Sequence, residues 1–182
     1  MDAVSYTHLD VYKRQHNGYV YREDPIYHRR RVLHLAQDVY VIDDQVTGLG
    51  LSEHDLRLYF NFAFGHLTDK GGGNFSYESQ KGRQYDFISE ATSPVEYEIL
   101  EGSEEPIGGW ISYGYAWKKP IPQLAVKAKG PVPIRFLTVI KPESVQVVTK
   151  TELGTITVKL ENGMELLLEE DKVIVKEGGK KA

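Results

Sequence analysis

The chain has 182 residues and a net charge of −4 at neutral pH, and 41% of its residues are hydrophobic. This length fits one domain, and a domain of this size can bury roughly 70% of the surface that its unfolded chain exposes. The acidic balance gives no electrostatic footprint for nucleic acid, and no apolar run approaches the roughly 18 residues of a membrane span. Because cysteine is absent, disulfides and thiolate metal sites are excluded.

The first fifteen residues do not share the pattern of the remaining chain. Residues 10–15, DVYKRQ, can be written in codons as GAT GTG TAT AAG AGA CAG. That string resembles the transposase end sequence used as an adapter in DNA library preparation. We therefore interpret residues 1–15 as translated adapter, exclude them from the fold prediction, and expect the natural protein to extend upstream of His16. The alternative is an N-terminal strand or a disordered arm.

Alternation of apolar and polar residues dominates the chain after residue 18. Every second residue is apolar in DLRLYFNF, residues 55–62, and TITVKLE, residues 155–161, repeats this pattern. VYVID and IRFLTVI, residues 39–43 and 134–140, are nearly continuous apolar runs, which predict strands covered on both faces. Because no helical spacing persists across three turns, the sequence predicts about a dozen short strands.

Short glycine-containing segments separate these strands. Asn162-Gly163 is the strongest hairpin signal, since this dipeptide accepts the positive φ angles of a type I′ turn. The sequence therefore predicts an all-β fold, a large antiparallel two-sheet β-sandwich. Residues 143–176 predict three or four further strands, which form either the end of the same sandwich or a small separate sheet. We favour the same sandwich, because Lys141-Pro142 is too short for a flexible linker, and we expect residues 177–182 to be a frayed tail.

Four segments occur in a recognisable order: HNGYVYREDPIYHRRRVLHL, VIDDQVTGLGLSEHDLRLYFNF, GGWISYGYAWKKPIPQLAV and LTVIKP. By their order and spacing, residues 16–142 resemble the C-terminal β-sandwich region of the heparinase II/III-like polysaccharide lyases. The resemblance implies a parent enzyme that pairs an N-terminal α/α-toroid with this sandwich and cleaves uronate-containing acidic polysaccharides by β-elimination. It also implies a secreted or periplasmic location.

The chemistry of β-elimination defines which residues to look for. A base removes the proton on C5 of the uronate, a second group neutralises the adjacent carboxylate, and an acid protonates the leaving oxygen. The resemblance implies Tyr and His for the proton transfers, and Asn, His or Arg for the carboxylate. Most of these groups would lie on the toroid, and others in a His-x-His-x-Asp-like stretch that can hold a metal.

This chain contains neither a His-x-His pair nor a toroid. We therefore expect the catalytic residues, and any divalent metal of the parent, to lie upstream of His16. The fragment itself is predicted to have no catalytic residue, no cofactor and no turnover. The alternatives are a non-catalytic carbohydrate-binding β-sandwich module and a purely structural scaffold.

His16 and His28 flank a tyrosine-rich segment that includes Tyr19. One interpretation places a histidine at the lyase cleft, or as a metal ligand if upstream residues supply the others. The other makes both of them strand residues that bond neighbouring loops, because no third ligand stands at short spacing. His16, Tyr19 and His28 are candidate substrate-binding residues.

Arg29, Arg30 and Arg31 form a second candidate group, because guanidinium forks match carboxylate and sulfate oxygens. Strand alternation places Arg30 on the face opposite the other two. A solvated edge with one buried pair to Asp43 or Asp44 is the more ordinary arrangement. Arg29 is kept as a candidate substrate-binding residue.

The segment WISYGYAWK, residues 110–118, is predicted as a single strand with Tyr113, Tyr115 and Trp117 on one face. Aromatic rings stack well on sugar rings, but they are also ordinary constituents of a sandwich core. We expect these residues in the core, and they are the first candidates for saccharide binding if a saccharide contacts the fragment.

Two other signals have ordinary structural explanations. His54 follows the turn at residues 48–50 and is predicted to bond or cap that turn. The glycine-rich segment DKGGGNF, residues 69–75, lacks the Lys-Ser/Thr pair of a phosphate-binding loop, so it is predicted to be a simple loop.

Overall fold

The structure, a computed structural model, describes residues 10–16, 18–21, 23–152 and 154–176. These residues are almost entirely β-strand, with one 3₁₀ turn at Ala36–Asp38, which confirms the predicted all-β fold. No helix in this part of the chain is long and apolar enough to cross a membrane. Residues 1–9 of the segment interpreted as adapter, and the predicted tail at 177–182, lie outside the described residues. Residues 10–15 of that segment are part of a strand, as in the alternative of an N-terminal strand.

The strands of the described residues are short and follow one another closely. They are β1 Asp10–His16, β2 Ile26–Leu35, β3 Val39–Gly48, β4 His54–Asn61, β5 Gly65–Gly71, β6 Asn74–Ser79, β7 Gln84–Ala91, β8 Val95–Glu101, β9 Ser103–Glu104, β10 Ile107–Gly108, β11 Trp110–Gly114, β12 Trp117–Pro120, β13 Pro122–Gly130, β14 Ile134–Pro142, β15 Val147–Thr151, β16 Ile156–Leu160, β17 Glu165–Leu168 and β18 Val173–Lys176.

Three antiparallel sheets form the body of the molecule. The central sheet has seven strands in the order β1-β2-β3-β14-β7-β6-β5. A three-stranded sheet, β4-β13-β8, packs on one face, and the C-terminal sheet, β15-β16-β17-β18, packs on the other. Two short hairpins, β9–β10 and β11–β12, lie between β8 and β13 in the chain.

The central sheet carries apolar side chains on both faces because both faces are covered. On β14, Ile134 and Phe136 belong to the core shared with the three-stranded sheet, whereas Leu137 and Val139 belong to the core shared with the C-terminal sheet. Successive side chains of a strand point to opposite faces, so a strand between two layers has no side that faces solvent. The structure thus confirms that these apolar runs are strands covered on both faces.

The C-terminal strands combine features of the two predicted alternatives. They form a hydrogen-bonded sheet of their own. Yet Ile156, Val158 and Leu166 share one continuous core with Leu33 and Val41 of the central sheet. The sandwich therefore has a third layer, which the two-sheet prediction did not include.

A buried ionic network joins the central sheet to the C-terminal sheet. The Asp43 carboxylate, fully buried, accepts hydrogen bonds from Arg31 Nε at 2.7 Å and Arg135 Nε at 2.7 Å. The same guanidinium groups donate to the carbonyl oxygens of Glu169 at 2.6 Å and Leu168 at 2.7 Å. Burial lowers the pKa of Arg31, because desolvation outweighs the attraction of Asp43.

The glycine-rich segment forms the turn between β5 and β6. Gly72 and Gly73 both have positive φ angles, +61° and +79°. An added Cβ would lie 2.2 Å from the Ser89 carbonyl oxygen at Gly73, but no closer than 3.8 Å to the Asn74 side chain at Gly72. The two glycines therefore share a backbone conformation and differ in the space around them.

We expect Gly73→Ala to destabilise the fold more than Gly72→Ala does. Both substitutions place a side chain at positive φ, which costs about 1–2 kcal/mol. Gly73→Ala should lower the free energy of unfolding by a further 1–3 kcal/mol or so, because β7, which carries Ser89, must move to relieve the overlap. Urea denaturation of both variants measures the difference, and equal losses would contradict the close packing of this turn on β7.

Candidate functional site

A cleft of about 680 Å³ lies between strand β4 and the central sheet. β4 is an edge strand of the three-stranded sheet, and the cleft separates it from β2 of the central sheet. His28 and Arg30 of β2 line one wall, and residues 53–59 line the other. Tyr19, from the segment before β2, also lines the cleft.

The buried Asp44 carboxylate fixes the orientation of the β2 side chains in the cleft. Its Oδ1 lies 2.6 Å from His28 Nε2 and accepts a hydrogen bond from Arg30 Nε at 2.7 Å. Its Oδ2 accepts a second bond from Arg30 Nη2 at 3.0 Å, and the Arg30 guanidinium lies 5.7 Å from the Phe60 ring centroid. The charge of Arg30 is therefore balanced from within the protein.

The opposite wall carries a second ion pair, which is exposed to solvent. Arg57 Nε and Nη2 donate to the two oxygens of Asp55 at 3.1 and 2.8 Å. These hydrogen bonds lower the pKa of Asp55 and raise the pKa of Arg57. Both arginines that line the cleft are thus engaged by carboxylates of the chain itself.

Asp24 and His54 form a further polar pair beside the turn at residues 48–50. Asp24 Oδ2 lies 3.4 Å from His54 Nε2. Both Asp24 oxygens and this nitrogen are buried, and no hydrogen-bond partner for them occurs among the described residues. Gly50 makes room for the pair, since a Cβ there would lie 1.9 Å from Asp24 Oδ1.

The donor atoms of this pair, a carboxylate and an imidazole, are of the kind that Zn²⁺ accepts. However, no group of three or more potential ligands is assembled within the ranges that the structure describes, so the pair supplies two ligands at most. Asp24 is not among the site residues predicted from the sequence. The sequence feature that could have indicated this contact is the Gly-Leu-Gly turn before His54, because a glycine there leaves space for a carboxylate from another segment.

The structure separates the candidate residues of the N-terminal strands. Tyr19 and His28 line the cleft. The backbone of His16 pairs with that of His28 at the end of β1, and the His16 side chain is not among the described groups. Arg29 points to the opposite face of the central sheet, where its Nη1 donates to Asp171 of the C-terminal sheet at 2.5 Å. This bond lowers the pKa of Asp171.

The segment predicted as one aromatic strand is instead a hairpin. β11 ends at Gly114, β12 begins at Trp117, and Ala116 in the turn has a φ of +55°. Tyr113 is 72% exposed, Trp117 is 37% exposed and Tyr115 is fully exposed, so the expected place in the core is wrong. The prediction failed because the aromatic residues keep alternating in sequence although the chain reverses direction between Gly114 and Trp117. Trp117 therefore lies on the second strand of the hairpin.

The aromatic hairpin, residues 110–120, and the cleft lie towards opposite ends of the three-stranded sheet. β13 begins directly after the hairpin, and its Gln123 pairs with Asn61 of β4, whereas its Gly130 pairs with His54. These two pairs are seven residues apart along β4, which is roughly 23 Å at 3.3 Å per residue. A second groove of about 540 Å³ follows β4 and shares Tyr59 with the cleft.

Comparison with solved structures identifies the fold as a sandwich found in polysaccharide lyases. More particularly, it matches heparan sulfate lyase HepC from Pedobacter heparinus with a TM-score of 0.68 and 14% sequence identity over 91% of this chain. A heparinase III gene product matches with a TM-score of 0.69 and 16% identity over 94% of the chain. A further heparinase III structure matches with a TM-score of 0.64 and 16% identity over 93%.

The chain spans 26% of the length of each of these structures. No protein-family model matches the chain, and no curated protein matches it. The predicted resemblance to the heparinase β-sandwich region is thus confirmed at the level of the fold.

Proposed function

We propose that this chain is the β-sandwich portion of a polysaccharide lyase that cleaves uronate-containing acidic polysaccharides by β-elimination. The observation that carries the proposal is the fold likeness over 91–94% of the chain to structures described as a heparan sulfate lyase and as heparinase III. In the intact protein an N-terminal α/α-toroid would pack on the sandwich, and the cleft would form one wall of the substrate site. A secreted or periplasmic location belongs to the same proposal.

The chain alone would bind acidic polysaccharide weakly and would catalyse no elimination. Removal of the C5 proton requires a cation or hydrogen-bond donor that is free to bind the uronate carboxylate. Tyr19 and His28 are residue types suited to proton transfer, but Arg30 is committed to the buried Asp44, and Arg57 pairs with Asp55 on the solvent side of β4. The group that neutralises the carboxylate would therefore come from another part of the intact enzyme.

The cleft proposal predicts that Arg30→Ala weakens heparan sulfate binding about tenfold at low salt. The substitution removes a cation and leaves the charge of buried Asp44 unbalanced beside an anionic ligand, and a tenfold change corresponds to about 1.4 kcal/mol. Isothermal titration calorimetry measures the affinity. Arg29→Ala is the matched control, because Arg29 points to the opposite face. An equal loss in both variants would mean that the cleft is not the binding site.

A divalent metal is the cofactor that we propose for the intact enzyme, and part of its site would lie in this chain rather than wholly upstream of His16 as the sequence predicts. Asp24 and His54 would provide two of its ligands, with the remainder from outside the described residues. A bound cation would neutralise the buried carboxylate and hold the turn at residues 48–50 in place. We expect excess Zn²⁺ to raise the melting temperature of the chain and to have no such effect on Asp24→Asn. A shift of equal size in that variant would assign the metal to another site.

A non-catalytic carbohydrate-binding module is the second candidate function, and the exposed aromatic hairpin favours it. The gene sequence upstream of His16 discriminates the two candidates. A long helical segment that ends in a His-x-His-x-Asp stretch supports the lyase. A signal peptide placed directly before His16 supports the module.

A further inference from the structure

The aromatic hairpin presents rings that neither core uses. Tyr113, Tyr115 and Trp117 are absent from both hydrophobic cores, and each is at least 37% exposed. The Tyr113 and Trp117 rings lie side by side on the two strands, with centroids 5.4 Å apart and planes inclined by 39°. Contiguous exposed apolar surface of this kind marks binding sites.

The hairpin is anchored firmly to the sheet that carries it. Trp110 Nε1 donates to the Ser103 carbonyl oxygen at 2.9 Å. The Gly109 carbonyl oxygen accepts hydrogen bonds from the amides of Gly102 at 2.9 Å and Ile121 at 2.8 Å. A ligand that binds the rings would therefore pay little ordering entropy in the hairpin.

Lysines beside the rings give the surface a positive charge. Lys119 Nζ lies 5.4 Å from the Trp117 ring centroid, and no described residue forms an ion pair with it. Lys118 Nζ lies 3.9 Å from the Trp110 ring centroid and bonds Glu104 at 2.9 Å. An aromatic face next to an unpaired ammonium group complements a pyranose ring that bears a carboxylate or a sulfate, because sugar C–H groups meet the π-face and the anion meets the cation.

We propose that the aromatic hairpin is a second saccharide site that binds one pyranose unit of an acidic polysaccharide. Tyr113 and Trp117 stack on the sugar, and Lys119 binds its anionic group. The groove that shares Tyr59 with the cleft runs along β4 towards the same end of the sheet as the hairpin. The hairpin is then a distal subsite for a chain that also occupies the cleft, and in this it rests on the proposed function.

Tryptophan fluorescence tests the hairpin directly. The chain has two tryptophans, so an emission change that is lost in Trp117→Ala comes from Trp117, and the Trp110 anchor stays in place. We expect heparan sulfate oligosaccharides to change the emission of Trp117 and the change to saturate with the calorimetric affinity. Trp117→Ala and Lys119→Ala, each in the otherwise unchanged chain, should weaken binding about 3- to 10-fold. Tyr40→Ala is the matched control, because Tyr40 is 38% exposed but stacks on His34 in the central sheet.

The outcomes separate the hairpin from the cleft. If Arg30→Ala weakens binding while Trp117→Ala and Lys119→Ala bind as the unchanged chain does, the hairpin inference is wrong and the proposed function stands. If the hairpin variants lose affinity and Arg30→Ala does not, the hairpin is a saccharide site and the cleft is not. If the unchanged chain binds no heparan sulfate or other uronate polymer, both are overturned.

Discussion

Asp43→Ala should lower the free energy of unfolding by about 3–5 kcal/mol, because it leaves two buried guanidinium groups without their shared carboxylate. Arg31 is 2% exposed and Arg135 is 4% exposed, so water cannot replace Asp43 as their partner. The same groups bind carbonyl oxygens of the C-terminal sheet. We therefore expect this sheet to lose its attachment first, which hydrogen exchange of residues 156–168 would report alongside urea denaturation.

Asp55→Ala is the control for the loss of a carboxylate that pairs with arginine. Asp55 and Arg57 lie on the solvent side of β4, with side chains 58% and 49% exposed, and exposed pairs contribute about 0–1 kcal/mol. A loss below about 1 kcal/mol for Asp43→Ala would contradict the role of the buried network.

Phe87→Ala should destabilise the chain by a similar amount, about 3–5 kcal/mol, because it opens a cavity between two layers. Phe87 on β7 is 1% exposed. Its ring meets that of Phe60 on β4 and that of Phe62 just after β4, with centroids 4.9 and 5.4 Å away, and that of Phe75 on β6 at 6.2 Å. The substitution thus removes the ring that joins both layers.

Leu49→Ala tests whether this loss comes from burial, because it also truncates a large apolar side chain. Leu49 is 92% exposed, and substitutions at such positions usually change stability by less than about 0.5 kcal/mol. Thermal and urea denaturation of both variants give the comparison. Equal effects would contradict the placement of Phe87 at the centre of the sandwich.

Local periodicity made most of the strands predictable. The alternation in residues 55–62 reports one buried face, and the continuous apolar run at residues 134–140 reports two, because side-chain direction along a strand depends on neighbouring residues alone. The third layer was harder to foresee. The pattern of Ile156 and Val158 shows that their strand has a buried face, but not which sheet covers it.

Contacts between residues that are distant in sequence were predictable in part. Strand alternation placed Arg29 and Arg30 on opposite faces, and Asp43 and Asp44 were the expected partners of this arginine group, as the structure shows. The Asp24–His54 contact joins residues of different loops, and no local pattern predicts such a contact. The hairpin was missed because its reversal at Gly114 carries a weaker signal than Asn162-Gly163.

The most direct test of the central claim is to mix the purified chain with heparan sulfate, measuring calorimetric binding and ultraviolet absorbance of the unsaturated product together. We expect measurable binding and no rise in absorbance, because Arg30 is held by the buried Asp44 and Arg57 pairs with Asp55 on the solvent side of β4. A rise in absorbance that His28→Ala abolishes would contradict this, since the isolated sandwich would then hold a complete set of catalytic groups. Absence of any binding would equally contradict its place as a wall of the substrate site.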